Sequence, residues 1–303
     1  MKYVITGGAG HISKPLTEKL LVKGHEVTVV GRNADNLKEL DSKGAKAAIG
    51  SVEDVAFLTK TFTGADAVYT MVPPTMSATD WKGWIGKIGD NYAQAIKASG
   101  VKHVVNLSSM GAHLPEGCGP VSGLYRVEKS LGELKDVHIK HLRPGYFYPN
   151  LLANVGMIKN MGIMGANAGG PSLKIVMVSP EDIAEVAAEE LAGLGFSGHS
   201  VRYIASDERT SDEIASLIGN AIGKPDLKWI VFSDADALNG MLQAGLPEEA
   251  AKNYTEMNQS MQLGNMYADY WKNHPAKLEK TKLEDFVKVF ATIYNNPTPA
   301  ATH

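Results

Sequence analysis

Two groups of residues in this chain have types and spacings that could do chemistry. The first is Thr6-Gly7-Gly8-Ala9-Gly10-His11-Ile12-Ser13. It follows an apolar run at 3–6 and opens a helical pattern, which is the context in which a glycine string cradles phosphate. Gly7 permits the tight turn. Gly10, lacking a Cβ, lets a pyrophosphate reach the backbone, where the open amides and dipole of a helix N-terminus favour negative charge. His11 and Ile12 belong to the same cradle, so both join Gly7 and Gly10 as candidate dinucleotide-binding residues.

About 20 residues further on, such a site needs an acid for a ribose hydroxyl or a base for a 2′-phosphate. The stretch Val29-Val30-Gly31-Arg32-Asn33 has no carboxylate at the strand end. Arg32 could instead grip a phosphate through charge-assisted, bidentate bonds. NADP(H) is therefore expected in preference to NAD(H).

The second group is Tyr125-Arg126-Val127-Glu128-Lys129, with Ser109 upstream. Tyr125 and Lys129 stand four apart on a predicted helix, hence on one face. An ammonium beside a phenol favours phenolate, so Tyr125 could exchange a proton with a carbonyl oxygen while hydride moves at a nicotinamide. Ser109, at the end of a predicted strand, could orient that oxygen. A tyrosine and a lysine at this spacing also occur by chance in many helices, so a structural role stays open.

Other candidates are weaker. The nine histidines show no paired ligand spacing, and no metal is expected. The lone Cys118 has no visible catalytic partner and cannot form an intramolecular disulfide, which fits a reducing compartment. Tyr146 and Phe147 follow a predicted strand, where ligands gather in parallel sheets, and a planar acceptor could stack on them. Met157, Met161 and Met164 read as the buried side of a short helix.

The elements that must position these residues alternate as βαβ units. Strands are expected at 3–6, 26–30, 46–49, 67–71, 103–107, 139–142 and 201–204, with helices at 15–23, 91–99 and 180–194. The stretch 150–170, rich in Gly, Asn and Met, reads as a mobile surface segment. Beyond it, helices at 211–222, 247–264 and 283–294 surround one strand at 228–232, and the tail 296–303 is expected to fray. The fold class is thus α/β: a doubly wound, parallel-sheet Rossmann domain with a smaller, mainly helical C-terminal lobe. Residues 1–145 and 175–206 form the nucleotide-binding domain, and 146–174 with 207–303 form the lobe.

Composition agrees with a globular protein of 303 residues, 44% of them hydrophobic and 21% charged. A net charge of −3 offers no footprint for nucleic acid. The chain opens on a strand without a cleavable leader, and no run approaches a membrane span. A cytoplasmic protein is expected, and a homodimer is compatible with this reading.

The run at 6–13, the Gly31-Arg32-Asn33 step and Leu142-Arg143-Pro144-Gly145-Tyr146-Phe147 resemble the NmrA-like branch of the atypical short-chain dehydrogenase/reductases. Ser179-Pro180-Glu181-Asp182-Ile183-Ala184 and Leu283-Glu284-Asp285-Phe286 extend the likeness over nearly the whole chain. The family pattern departs at Ser13, which stands at the third glycine position and asks for looser packing of helix on strand. The resemblance implies a substrate cleft between domain and lobe, with Val52 near the adenine, Val72 and Pro73 near the cofactor ribose, Ser108 ending the fifth strand, and Lys129 reaching a ribose. It also implies that Ser109, Tyr125 and Lys129 match the superfamily triad, or that Glu128, rather than Tyr125, marks the helix as in the NmrA-like branch. The expected function is an NADPH-dependent oxidoreductase reducing a small quinone, carbonyl or similar acceptor. The alternative is a non-catalytic, NADP(H)-binding redox sensor acting through a protein partner. A nucleotide-sugar epimerase is disfavoured by Arg32.

Overall fold

The fold is taken from a computed structural model that describes residues 1–296. Its first half runs β1 (Lys2–Ile5), α1 (Ser13–Val22), β2 (Glu26–Gly31), α2 (Lys38–Ser42), β3 (Lys46–Ile49) and α3 (Val55–Phe62). Then come β4 (Ala67–Thr70), α4 (Trp81–Ser99), β5 (His103–Leu107), α5 (Pro120–Gly132) and β6 (His138–Pro144). After these follow β7 (Tyr146–Phe147), α6 (Val155–Met161), β8 (Met164–Ala166), β9 (Lys174–Val178), α7 (Pro180–Gly193) and β10 (His199–Ile204). The remainder is β11 (Asp207–Thr210), α8 (Ser211–Ala221), β12 (Trp229–Val231), α9 (Asp234–Gln243), α10 (Glu248–Gln262), α11 (Ala268–Lys272) and α12 (Leu283–Asn295).

Seven strands form one parallel sheet in the order β10-β6-β5-β4-β1-β2-β3. Alternate residues of β1 face opposite sides. Ile5 joins the core under α1 and α7, whereas Val4 joins the one under α4. The strand order reverses between β1 and β4, and the crevice at such a switch point is where an open α/β sheet binds its ligand. This is the doubly wound Rossmann arrangement expected from the βαβ pattern.

The helix expected at 91–99 is the second half of α4, which has 19 residues. Its first half was obscured by Gly83, Gly86 and Gly89, each a poor helix former. Two of them serve packing. A Cβ at Gly89 would lie 2.7 Å from the Val127 Cα, and one at Gly86 would lie 3.2 Å from the Arg126 Cβ, so α4 and α5 lie unusually close. Asp80 caps the start by accepting from the Gly83 amide, and Gly100 ends the helix in the left-handed region. The position of α5, and with it Tyr125, depends on that close approach.

The C-terminal region has a core of its own, including Met110, Tyr148, Ile158, Met164, Ile214 and Phe290. Contrary to the surface loop expected at 150–170, this stretch is ordered. It contains a 3-10 turn (Tyr148–Asn154), α6 and β8, which pairs in parallel with β12. The methionines do not share one buried side: Met164 is buried on β8, Met157 is half-buried and Met161 is exposed. The glycines and asparagines there read as a loop, and the partners of this stretch come from far along the chain. All but the first residue of β9 lies in the 175–206 stretch assigned to the nucleotide domain, yet the strand pairs with β7 and β11 in a separate three-stranded sheet. Of the tail expected to fray, residues 297–303 lie outside the described residues. Among the described residues no helix is long and apolar enough to cross a membrane.

Candidate functional site

The glycine turn connects β1 to α1 at the carboxyl edge of the sheet. Gly7 has φ +97°, and a Cβ there would meet Ser13 Oγ at 2.5 Å, so the fold itself requires glycine at this position. Gly8 (φ +57°) donates its amide to the Val30 carbonyl at 2.9 Å and so ties the turn to the end of β2. Gly10 differs from both. It is exposed, has no positive φ, and a Cβ on it would meet only the Gly7 carbonyl, at 3.1 Å. Packing gives little reason for glycine there, whereas close approach of a phosphate to the helix N-terminus does.

Ser13 resolves the departure at the third glycine position. Its hydroxyl is buried and donates to the Thr6 carbonyl at 2.8 Å, so the extra atoms bond the strand instead of holding the helix away. The opposite wall of the switch point is tied in the same way. The Met71 amide donates to Thr6 Oγ1 at 3.0 Å, and the buried Tyr92 hydroxyl donates to the Met71 carbonyl at 2.7 Å. Sequence reasoning took Thr6 only as the first residue of the glycine run and missed Met71 and Tyr92, because a bond between strand ends leaves no local signal.

The other cofactor candidates fall into two groups. Arg32 is exposed at the end of β2 and makes no ion pair among the described residues, so its guanidinium is available to a phosphate. His11 is exposed in the turn, and Val72 and Pro73 are half-buried just beyond β4. The side chains of Ile12 and Val52 are instead buried in the two cores flanking the sheet, which leaves their backbone as the accessible part. The turn's donors, its open glycine and the unpaired arginine together fit an NADP(H) diphosphate and 2′-phosphate.

Tyr125 and Lys129 share a cavity of about 280 Å³ with Ala112, His113, Glu128 and Arg143. It lies at the carboxyl ends of β5 and β6, on the edge of the sheet that carries the glycine turn. Beneath it runs a buried network. Arg143 donates through Nε and Nη2 to the two carboxylate oxygens of Glu128, at 3.0 and 2.6 Å, and through Nη1 to Asp269 and to the Tyr203 hydroxyl, both at 3.0 Å. Ser108 Oγ donates to Glu128 at 2.5 Å, and the Tyr203 hydroxyl bonds Asp269. Burial, then the Asp269 carboxylate, push the Tyr203 phenol up to about 12, so it remains a donor.

Three candidates have different surroundings from those expected. The Ser109 hydroxyl donates to the Met110 carbonyl at 2.9 Å, not to Tyr125, while neighbouring Ser108 is the serine bonded to α5. Tyr146 packs on the C-terminal core and Phe147 on the core beneath α1 and α7, so this short strand sits at the seam of the two regions. Burial raises the Cys118 thiol to about 11, which makes it a poor nucleophile. Among the described residues no three of His, Cys, Asp or Glu are grouped so as to hold a metal ion.

Comparison with known proteins adds to this geometry. Residues 7–140 match a family model described as NAD(P)H-binding. A (4-alkanoyl-5-oxo-2,5-dihydrofuran-3-yl)methyl phosphate reductase of Streptomyces griseus is 24% identical over 86% of this chain and 87% of its own length. An NAD(P)H azoreductase of Xenophilus azovorans is 22% identical over 84% and 85%. Among solved structures, an NADPH-dependent quinone oxidoreductase from Escherichia coli superposes with a TM-score of 0.78 at 22% identity, covering 95% of this chain and 99% of that one. Its complex with NADPH superposes with a TM-score of 0.74. At such identities the likeness shows the fold. The stretch 7–140 that matches the NAD(P)H-binding family model lies on the Rossmann sheet described above.

Proposed function

We propose that this chain is an NADPH-dependent oxidoreductase that reduces a small, electron-poor acceptor, a quinone ahead of a simple carbonyl. The observation that carries the reading is the cavity walled by Tyr125, Lys129 and Arg143 on the same sheet edge as the glycine turn. Bound NADPH would supply hydride. In this reading the backbone at Gly10 holds the diphosphate, Arg32 the 2′-phosphate, and the Lys129 ammonium a ribose. The relatives named as reductases of a furanone phosphate, an azo compound and a quinone support the reaction class.

The preference for a quinone rests on Ser109. With its hydroxyl given to Met110, no serine is bonded to Tyr125 to help deliver a proton. A quinone needs that help least, because its reduced form is a stabilised phenolate, whereas an aldehyde yields an alkoxide that must be protonated as it forms.

The test is to mix purified protein with NADPH and either menadione or a panel of simple aldehydes, and to follow the loss of nicotinamide absorbance. Faster turnover of the quinone is expected. Turnover of aldehydes alone would shift the acceptor class, and binding of NADPH with no turnover of any acceptor would favour a sensor.

A further inference from the structure

Asn91 is a polar residue in an apolar place. It lies buried on α4, the helix that gives Ile88, Tyr92 and Ala95 to the core beneath it. Asparagine is among the weaker helix formers, and burying its amide costs free energy unless the amide is bonded. An apolar side chain would serve the core better, so the reason for asparagine is what its amide holds.

Its Nδ2 donates to the Val52 and Glu53 carbonyls, both at 3.3 Å. These carbonyls belong to the turn 50–54, which joins β3 to α3 at the carboxyl edge of the sheet. The start of the same turn is tied to β2. There the Gly50 amide donates to the Gly31 carbonyl at 3.0 Å, one residue before Arg32. At its other end Asp54 caps α3 by accepting from the Phe57 amide at 3.0 Å.

A dinucleotide laid across the switch point puts its adenosine on the β2 side, where the end of that strand meets the adenosine ribose. The turn 50–54 is the adjoining backbone on that side, because β3 is the strand paired with β2. We infer that Asn91 is a positioning residue for the adenosine end of the cofactor: it holds the turn 50–54 as the shelf against which the adenosine rests. Its neighbour Tyr92 holds the end of β4 through Met71, so consecutive residues of α4 set both sides of the crevice. The inference rests on the nucleotide half of the reading above and is independent of what the bound cofactor reduces.

The probes are NADPH, NADH and 2′,5′-ADP, which is the adenosine end of NADP(H) alone, with affinities measured by calorimetry. Asn91→Leu should weaken 2′,5′-ADP about tenfold, the worth of one or two neutral hydrogen bonds. It should weaken NADPH and NADH by the same factor, because the loss lies in a part that all three share. Tyr3→Phe is the comparison. It also deletes a buried hydrogen bond, from the Tyr3 hydroxyl to the Leu191 carbonyl at 2.9 Å, but on the α7 side of the sheet. That variant should lower the urea midpoint and leave all three affinities unchanged, which is how Asn91 would behave if its role were structural alone.

Amide hydrogen exchange in the unmutated protein supplies a check that needs no variant: 2′,5′-ADP should slow exchange at residues 51–54. Absence of that slowing overturns the inference, as does 2′,5′-ADP affinity in Asn91→Leu within about twofold of the unmutated value. So does a loss of NADPH affinity far larger than that of 2′,5′-ADP, or an equal loss in Tyr3→Phe. A different outcome separates the inference from the reading beneath it. If the unmutated protein binds NADPH and NADH equally, while Asn91→Leu weakens both about tenfold, the 2′-phosphate does not sit at Arg32 and Asn91 keeps its role.

Discussion

The glycine turn at 7–13 is made by residues adjacent in the chain, while the network under the α5 cavity joins Arg143 to Asp269, 126 positions away. In the turn, backbone dihedrals and a missing Cβ set the geometry, and each residue's reason is visible in its immediate neighbours. In the network, Arg143 and Glu128 are both nearly buried, with side-chain exposures of 9% and 11%, and each is tolerable there only because the other neutralises it. Change at the exposed Gly10 should therefore affect ligand binding and spare the fold. Change in the network should affect the fold first.

Arg143→Ala is the hardest test of this contrast. It strands Glu128 and Asp269 as neighbouring carboxylates, and removing one partner from a buried pair costs about 3–5 kcal/mol. A urea midpoint shifted by that amount is expected; a shift below about 1 kcal/mol would mean that solvent reaches the pair after all.

Gly10→Val should have the opposite signature. NADPH affinity should fall by about 100-fold or more as the side chain blocks the helix N-terminus, with circular dichroism unchanged and the urea midpoint moved by no more than about 1 kcal/mol. Calorimetry showing unaltered NADPH binding would remove the turn from the site.

Arg32→Ala tests one charged contact within the nucleotide half. NADPH should bind the unmutated protein more tightly than NADH, and the variant should lose about 1.5–3 kcal/mol of that difference. Equal nicotinamide-fluorescence titrations for the two cofactors in the unmutated protein would contradict the assignment.

The smallest effect is expected from Tyr125→Phe, which removes one hydroxyl from the cavity wall and leaves the network beneath it intact. Quinone turnover should change by no more than about threefold, since a stabilised phenolate needs little acid catalysis. A loss of about 100-fold would instead make Tyr125 the proton donor and bring a carbonyl acceptor forward.

Much of the nucleotide half was legible because its signals are local. Short β-branched runs marked β1 to β6 and β10, and the glycines marked the turn, since strand propensity and positive φ are properties of a residue and its neighbours. Arg32 was readable from its place at a strand end. Tyr125 and Lys129 were readable as a pair on one helical face, but what surrounds them was not.

The amino-acid sequence by itself determined the βαβ order, the glycine turn and the basic residue at the end of β2, because each follows from backbone geometry within one unit. Only tertiary structure decided that residues 150–170 fold as α6 and β8, because their partners, such as β12, lie some 65 residues further on. It alone gave the Ser108 hydroxyl to Glu128 and the Ser109 hydroxyl to Met110, and it alone drew Asp269 from the helical region onto Arg143. A buried charge takes whichever partner the packed fold brings within reach, and spacing along the chain carries no record of that choice.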